Sequence, residues 1–264
     1  MAVMTRDRRD SILLGALGAT VTIGLWWLAA KLFFTPKQVP TPLDVLHVFE
    51  DRGVGYYREL FAITLREATR GYLIGVAIAL GLAVLVLLVP PLERLVMQFA
   101  VITYCLPIVV LAPILVIIHD LPTAGGISQT AVDLAIISVI FTTVVGAVLG
   151  FRSADQTSLD VVQVYGGSRL QQFTRVRLIA ALPALFTTLQ IAAPAAFLGA
   201  LLGEYFDKHL VIGVGPSLYL AQNNRETALV WTLGFACAIV SGLAYFLIGL
   251  MGRAVAPWAK GTPS

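Results

Sequence analysis

The chain has 264 residues, 58% of them hydrophobic and 12% charged, with a mean hydropathy of +0.86. Soluble domains are about half apolar and about a quarter charged, so the shortage of charge excludes a soluble domain and indicates an all-α polytopic membrane protein. The net charge of +3 speaks neither for nor against nucleic acid, and Cys105 and Cys237, both inside apolar runs, offer neither disulfide nor metal spacing.

A span needs about 20 apolar residues. The first runs from Ser11 to Phe34 after the charged "TRDRRD"; it is too long for a signal peptide and lacks a small-x-small cleavage site, so it reads as an uncleaved helix. The connector "TPKQVPTPLDVLHVFEDRGVGYYREL" follows, with one short amphipathic helix expected over Leu43 to Glu50. Span two covers Gly71 to Val89, its helix starting near Leu60, and Pro90-Pro91 ends it. Span three covers Leu95 to Ile118 and contains Pro107 and Pro113. Span four runs from Ile127 to Leu149, span five from Leu178 to Phe206 and span six from Thr227 to Met251.

Six spans put both termini on one side, together with the stretch between spans four and five. The connector carries Lys31, Lys37, Arg52, Arg58, Arg66 and Arg70. Outside it, ten Lys/Arg fall on the side of the termini against two on the other, which places both termini in the cytoplasm. This expectation divides the chain into an N-terminal helix with its connector (1–58), a membrane domain (59–253) and a cytoplasmic tail (254–264).

Between spans four and five lies "DVVQVYGGSRLQQFTRVRLIAALP", polar and broken among apolar runs. Leu159, Val162 and Tyr165, with Val161 and Val164, recur at helical spacing. Gly166-Gly167 stops that helix, and "SRLQ" opens another as a capping box of Ser168 and Gln171. Leu170, Phe173 and Val176 form the second apolar face, which runs into span five. A helix-turn-helix tied to spans at both ends suits mechanical coupling. An interfacial helix on lipid headgroups is an alternative. A DNA-binding helix pair has the same outline, but the second helix carries little basic patch.

The same stretch resembles the signature loop of binding-protein-dependent ABC importer permeases, written E-A-A, three residues, G, nine residues, I-x-L-P. Asp160-Val161-Val162 stand where that family has Glu-Ala-Ala, Gly166 falls on its glycine, and Ala180 to Pro183 resemble its closing segment, thirteen residues after that glycine instead of nine. "TPLDVL", "ATRGYLIGVAIALGLAVLV", "YCLPIVVLAPILVI", "LLGEYF" and "VIGVGPSL" are similar, in order, to its nitrate/sulfonate/taurine branch, covering Pro40 to Arg253. The departures are valines for the small alanines, Asp160 for glutamate, Gln190 for a frequent basic residue and Pro194 for glycine. The valines would need a wider groove on the partner.

The resemblance implies a type I ABC importer permease with a cytoplasmic coupling helix between helices four and five, in the bacterial inner membrane. It implies an ATPase docking through Asp160, Val161, Val162, Tyr165, Gly166, Gly167, Ser168 and Arg169, with Pro183 setting the hand-over to span five. A second permease subunit, identical or homologous, and an extracytoplasmic solute-binding protein complete the expected partners. No nucleic acid is expected. The chain has no G-x-x-x-x-G-K-[ST], so ATP and magnesium belong to the ATPase, with no cofactor and no catalysis here. The branch suggests a small polar or anionic solute, such as nitrate, a sulfonate, taurine, or a pyrimidine- or hydantoin-like compound.

Within the membrane, Tyr104, Pro107 and Gln190 are pathway candidates, the prolines being equally readable as packed kinks. Glu204 reads as a gate or substrate contact, or as a solvated interface acid. Gly71/Gly75 and Gly146/Gly150 form G-x-x-x-G pairs for close helix packing. His47, His119 and His209 are isolated and suggest no metal. An ion-coupled carrier would want intramembrane acids or histidines and internal repeats, and a membrane enzyme a H-E-x-x-H or G-x-S-x-G motif; the spans supply neither set.

Overall fold

The computed structural model describes residues 2–34, 39–119, 126–207 and 209–261, and the described residues form helices joined by short turns. The helices are α1 (Ala2–Leu32), α2 (Pro42–Leu88), α3 (Glu93–Cys105), α4 (Ile108–Ile118), α5 (Gln129–Arg152), α6 (Gln156–Val164), α7 (Arg169–Gln172), α8 (Leu178–Phe206), α9 (Val214–Asn223) and α10 (Thr227–Val255). Five helical stretches are long and apolar enough to cross a membrane, and α3 with α4 makes a sixth if that bent pair counts as one span.

Two elements differ from the sequence reading. The connector is far more helical than expected. Thr41 and Asp44 bond reciprocally, with the Thr41 amide donating to Asp44 Oδ2 at 2.8 Å and the Asp44 amide to Thr41 Oγ1 at 3.3 Å. With Pro42 at the first helical position, that cap starts α2 at once, and the helix is interrupted only at Gly53, whose φ of 72° only glycine adopts readily. Span three is the other difference. Leu106 precedes a proline and takes an extended ψ of 124°, so α3 and α4 meet at 93° rather than forming one kinked rod. Pro113, by contrast, sits inside α4 without breaking it.

Two compact units divide the chain. The smaller comprises residues 1–58 and 218–236. Its aromatic centre stacks Trp26 on Trp231, ring centroids 5.8 Å apart, with Phe235 5.1 Å from Trp26. Phe49 stacks on Tyr57 across the Gly53 break at 4.8 Å, and Arg52 pairs with Glu226 at 2.9 Å.

The larger unit comprises residues 59–217 and 237–264. Its centre is α5 against α8, packed through small residues: a β-carbon on Gly199 would lie 2.6 Å from the Leu134 carbonyl oxygen, and one on Gly203 2.4 Å from Ala131 Cα. Both G-x-x-x-G pairs face a neighbour. Gly71 and Gly75 press α2 onto Ala135, Ile136 and Val139 of α5, and Gly146 and Gly150 press α5 onto Thr188 and Ala184 of α8. Without bulky side chains, backbones approach closely and gain dispersion contacts that lipid tails cannot match. Ala79, Ala83 and Val86 of α2, Val144, Ala147, Val148 and Phe151 of α5, and Ala181 and Leu185 of α8 complete this core.

Candidate functional site

The turn between α5 and α8 is built by local hydrogen bonds at every joint. Asp155 caps α6 by accepting from the Ser158 amide at 3.0 Å. At the other end Tyr165 is the C-cap and Gly166 takes φ 75°. The Gly167 amide donates to the Val162 carbonyl at 2.8 Å and the Gly166 amide to the Gln163 carbonyl at 2.9 Å. This is a Schellman arrangement, which satisfies carbonyls a helix end would leave bare.

Ser168 then begins α7 with the capping box expected from "SRLQ": its amide donates to Gln171 Oε1 at 2.7 Å, and its Oγ accepts from the Gln171 amide at 3.3 Å. The Gln172 side chain donates to the Leu159 carbonyl at 3.3 Å, bracing one arm of the elbow on the other.

Packing sorts the elbow's apolar residues. Leu159, 4% exposed, is its inward anchor. Val162 lies beneath Gly167, where a β-carbon would come within 2.4 Å of Val162 Cγ1. Phe173 meets Phe151 edge-on at 5.4 Å, fixing the second arm to the end of α5. Val161, Val164, Tyr165 and Leu170 point outward, with Tyr165 88% and Val164 83% exposed. Asp160 and Arg169 are exposed beside them, and among the described residues Asp160 accepts a side-chain bond from Gln156, one turn earlier, at 2.9 Å.

Helix leads from the elbow into span five with Pro183 inside it. Phe173–Arg177 form a π-helical turn, and helix continues unbroken from Arg169 to Phe206. Pro183 sits inside α8, where it removes one intrahelical bond without breaking the helix. Arg177 donates to the Phe151 carbonyl at 3.3 Å, tying the π turn to α5 as well.

The membrane candidates are spread along the larger unit. Tyr104 and Pro107 flank the α3/α4 break, and Tyr104 stacks on Phe141 at 4.5 Å. Gln190 lines a cavity of about 330 Å³ with Pro183, Phe186, Thr187, Gly249 and Arg253. Its amide rests against Gly249, where a β-carbon would lie 2.6 Å from Gln190 Nε2.

Glu204 lies 26 residues beyond Leu178 on α8, roughly 39 Å along the helix and so at the end opposite the elbow. It is wholly buried, not a solvated acid. Thr64 donates to Glu204 Oε1 at 2.7 Å and the Gly215 amide to Oε2 at 2.8 Å, while the Val214 amide donates to Thr64 Oγ1 at 3.1 Å. Beside it, Glu67 Oε1 accepts from the Ser128 amide at 2.6 Å, and the Ser128 hydroxyl donates to Asp207 at 3.0 Å. Sequence reasoning missed Thr64, Glu67, Ser128 and Asp207. A signal existed, because Leu60, Thr64, Glu67 and Gly71 share one helical stripe while Arg66 and Arg70 lie off it and are exposed. His119, isolated in sequence, meets Asp133 at 2.7 Å, and no group of metal-ligating residues is found among the described residues.

A membrane bundle whose closely packed spans α5 and α8 are joined by a doubly capped, outward-facing elbow is the architecture of a transporter permease subunit. The family model for the binding-protein-dependent transport system inner membrane component matches residues 71–261, and the chain belongs to this family of ABC importer permeases. It is 22% identical to the formylaminopyrimidine transport permease protein ThiX of Halalkalibacterium halodurans over 89% of this chain and 92% of that protein. It is 25% identical to the nitrate import permease protein NrtB of Leptolyngbya laminosa over 92% and 87%. The fold matches the inward-facing MetNI methionine ABC transporter with a TM-score of 0.60 at 18% identity, over 76% of this chain and 95% of that one. The chain is therefore an all-α, multi-pass membrane protein of the type I importer fold.

Proposed function

We propose that this chain forms the translocation pathway of an ATP-driven importer and receives its driving force through the α6–α7 elbow. One observation carries the reading: the elbow turns Val161, Val164, Tyr165 and Leu170 outward while being rigidly braced to α5 and α8. Four exposed apolar side chains on a structured elbow cost solubility and are explained by a partner that covers them. Asp160 and Arg169 at their edge supply polar contacts for that partner.

The partner is a cytoplasmic ATPase, which binds ATP and magnesium; this chain contributes no catalysis. A second permease subunit, identical or homologous, faces this one, and a solute-binding protein delivers cargo at the far side. Closure of the ATPase pair draws two elbows together. Because helix is continuous from Arg169 to Phe206, the displacement is delivered along α8 as rigid-body motion. Gln190, Tyr104, Pro107 and the buried Glu204 cluster lie along that path. The likeness to permeases named for a formylaminopyrimidine and for nitrate supports a small polar or anionic cargo.

Site-specific crosslinking tests the docking. A photocrosslinker in place of Tyr165 should capture an ABC ATPase, in inner-membrane vesicles, and only with the cytoplasmic face accessible. Capture of nothing while ATP-dependent uptake proceeds would overturn the assignment.

A further inference from the structure

The cluster at the far end of α8 holds two wholly buried carboxyls, Glu67 and Glu204, brought together because Thr64, one turn before Glu67 on α2, bonds Glu204; neither has an ion-pair partner among the described residues. Counting donors settles where a hydrogen must sit. Both oxygens of Glu204 are already acceptors, Oε1 from Thr64 and Oε2 from Gly215. Glu67 Oε1 accepts from Ser128, whereas its Oε2 is buried with no partner. A buried carboxyl oxygen that receives no donor, beside a carboxylate whose two oxygens both accept, is satisfied when it carries a hydrogen itself.

We propose that Glu67 holds a hydrogen on Oε2 and donates it to Glu204, and that this bond latches the first turn of α9 to α2 and α5. The pair thereby carries one negative charge, which the Gly215 amide at the start of α9 and the Ser128 amide at the start of α5 both face, as a helix N-terminus favours. Losing the hydrogen puts two buried charges in contact, which only separation relieves. The other groups facing the pair are Asp207, whose carboxylate takes the Ser128 hydroxyl, and the Cys237 thiol of α10. Arg66 and Arg70 of α2 are exposed and form no ion pair with it among the described residues.

Three amides report the latch directly: Ser128, Val214 and Gly215 each donate to one of its side chains. The experiment is hydrogen exchange of the full chain in lipid nanodiscs, read as protection factors from about pH 5 to about pH 10. Wild-type protection at Ser128 and Gly215 should fall about tenfold or more as pH rises through loss of the shared hydrogen. Glu67→Gln, whose amide donates to Glu204 permanently, should stay protected throughout. Glu204→Gln replaces one of the two acceptor oxygens by an NH2, which sets a donor against the Thr64 hydroxyl or the Gly215 amide, and should lose about tenfold protection at every pH. A flat wild-type profile, or equal behaviour of the two glutamine variants, overturns the proposal; so does protection that follows sodium concentration at fixed pH. If Glu204→Gln does not fold, the comparison of wild type with Glu67→Gln still decides. The outcome is independent of whether an ATPase docks on the elbow.

Discussion

The Gly215 amide donates to Glu204 Oε2 at 2.8 Å, and a β-carbon on Gly215 would stand 2.4 Å from the β-carbon of Glu204. The glycine and the acid are therefore one feature: the backbone approaches so closely because no side chain stands between. Gly213 belongs to the same approach, at φ 145° with the Glu204 carboxyl 2.9 Å from a hypothetical β-carbon.

Gly215→Ala should therefore destabilise the protein. The obstruction includes the Tyr205 amide nitrogen at 2.5 Å, and backbone cannot step aside as a side chain can, so a cost of about 1–3 kcal/mol is expected. Gly242→Ala, where nothing lies within 4 Å, is the control and should be neutral or stabilising by up to about 1 kcal/mol. Thermal melting of the detergent-solubilised chain separates the two.

The α5–α8 seam makes a second, sharper contrast. The three atoms nearest a β-carbon on Gly146 all belong to the Thr188 side chain, Oγ1 at 2.0 Å, whereas one on Gly203 meets the Ala131 backbone at 2.4 Å. Gly146→Ala should cost about 1–3 kcal/mol and be largely rescued by Thr188→Ala, which removes the obstructing atoms. No single side-chain truncation on α5 should rescue Gly203→Ala. Melting temperatures of single and double variants measure both couplings.

How far the sequence reveals this architecture depends on whether a feature is local. The elbow is nearly all local: the Gly-Gly stop and the Ser168–Gln171 box are read from adjacent residues and recur in the structure at those positions. The G-x-x-x-G pairs are equally visible, although only the folded chain shows that they face Ala135, Ile136 and Thr188. The Glu67–Glu204 cluster is not local, since its members come from three stretches of chain at least 61 positions apart and each alone resembles a polar residue near a span end. The 93° break at Leu106–Pro107 and the π turn at Phe173–Arg177 were also illegible, because one proline kinks a helix, breaks it or is absorbed according to tertiary packing. Pro107 and Pro113 show two of those outcomes within one segment.

Within the elbow, Gly166 and Gly167 should respond to different substitutions. Gly166 has open space around it but a left-handed backbone, so Gly166→Asn should be tolerated and Gly166→Val should cost about 1–2 kcal/mol. Gly167 has no such restriction in φ, but its β-carbon would lie 2.6 Å from the Val162 carbonyl oxygen. Gly167→Ala should open the Schellman turn even though alanine suits its backbone. Hydrogen exchange at the Gly166 and residue-167 amides, both bonded to α6 carbonyls, reports the difference.

Docking and folding separate most cleanly at Leu159 on α6 and Tyr165 at its C-cap, which have opposite environments. Tyr165 is 88% exposed and Leu159 4%. Tyr165→Asp gives up little intramolecular packing, so its melting temperature should stay within the equivalent of about 0.5 kcal/mol of wild type. The same change puts a charge at the centre of the outward apolar face and should weaken ATPase binding by about 2 kcal/mol or more, roughly thirtyfold. Leu159→Ala should do the reverse: about 2–3 kcal/mol of stability is lost by emptying the elbow's inward anchor, while the surface offered to the partner is unchanged. Pull-down of the ATPase by each variant, beside its melting curve, reads both quantities. Retained binding by Tyr165→Asp would exclude the outward face as the docking surface.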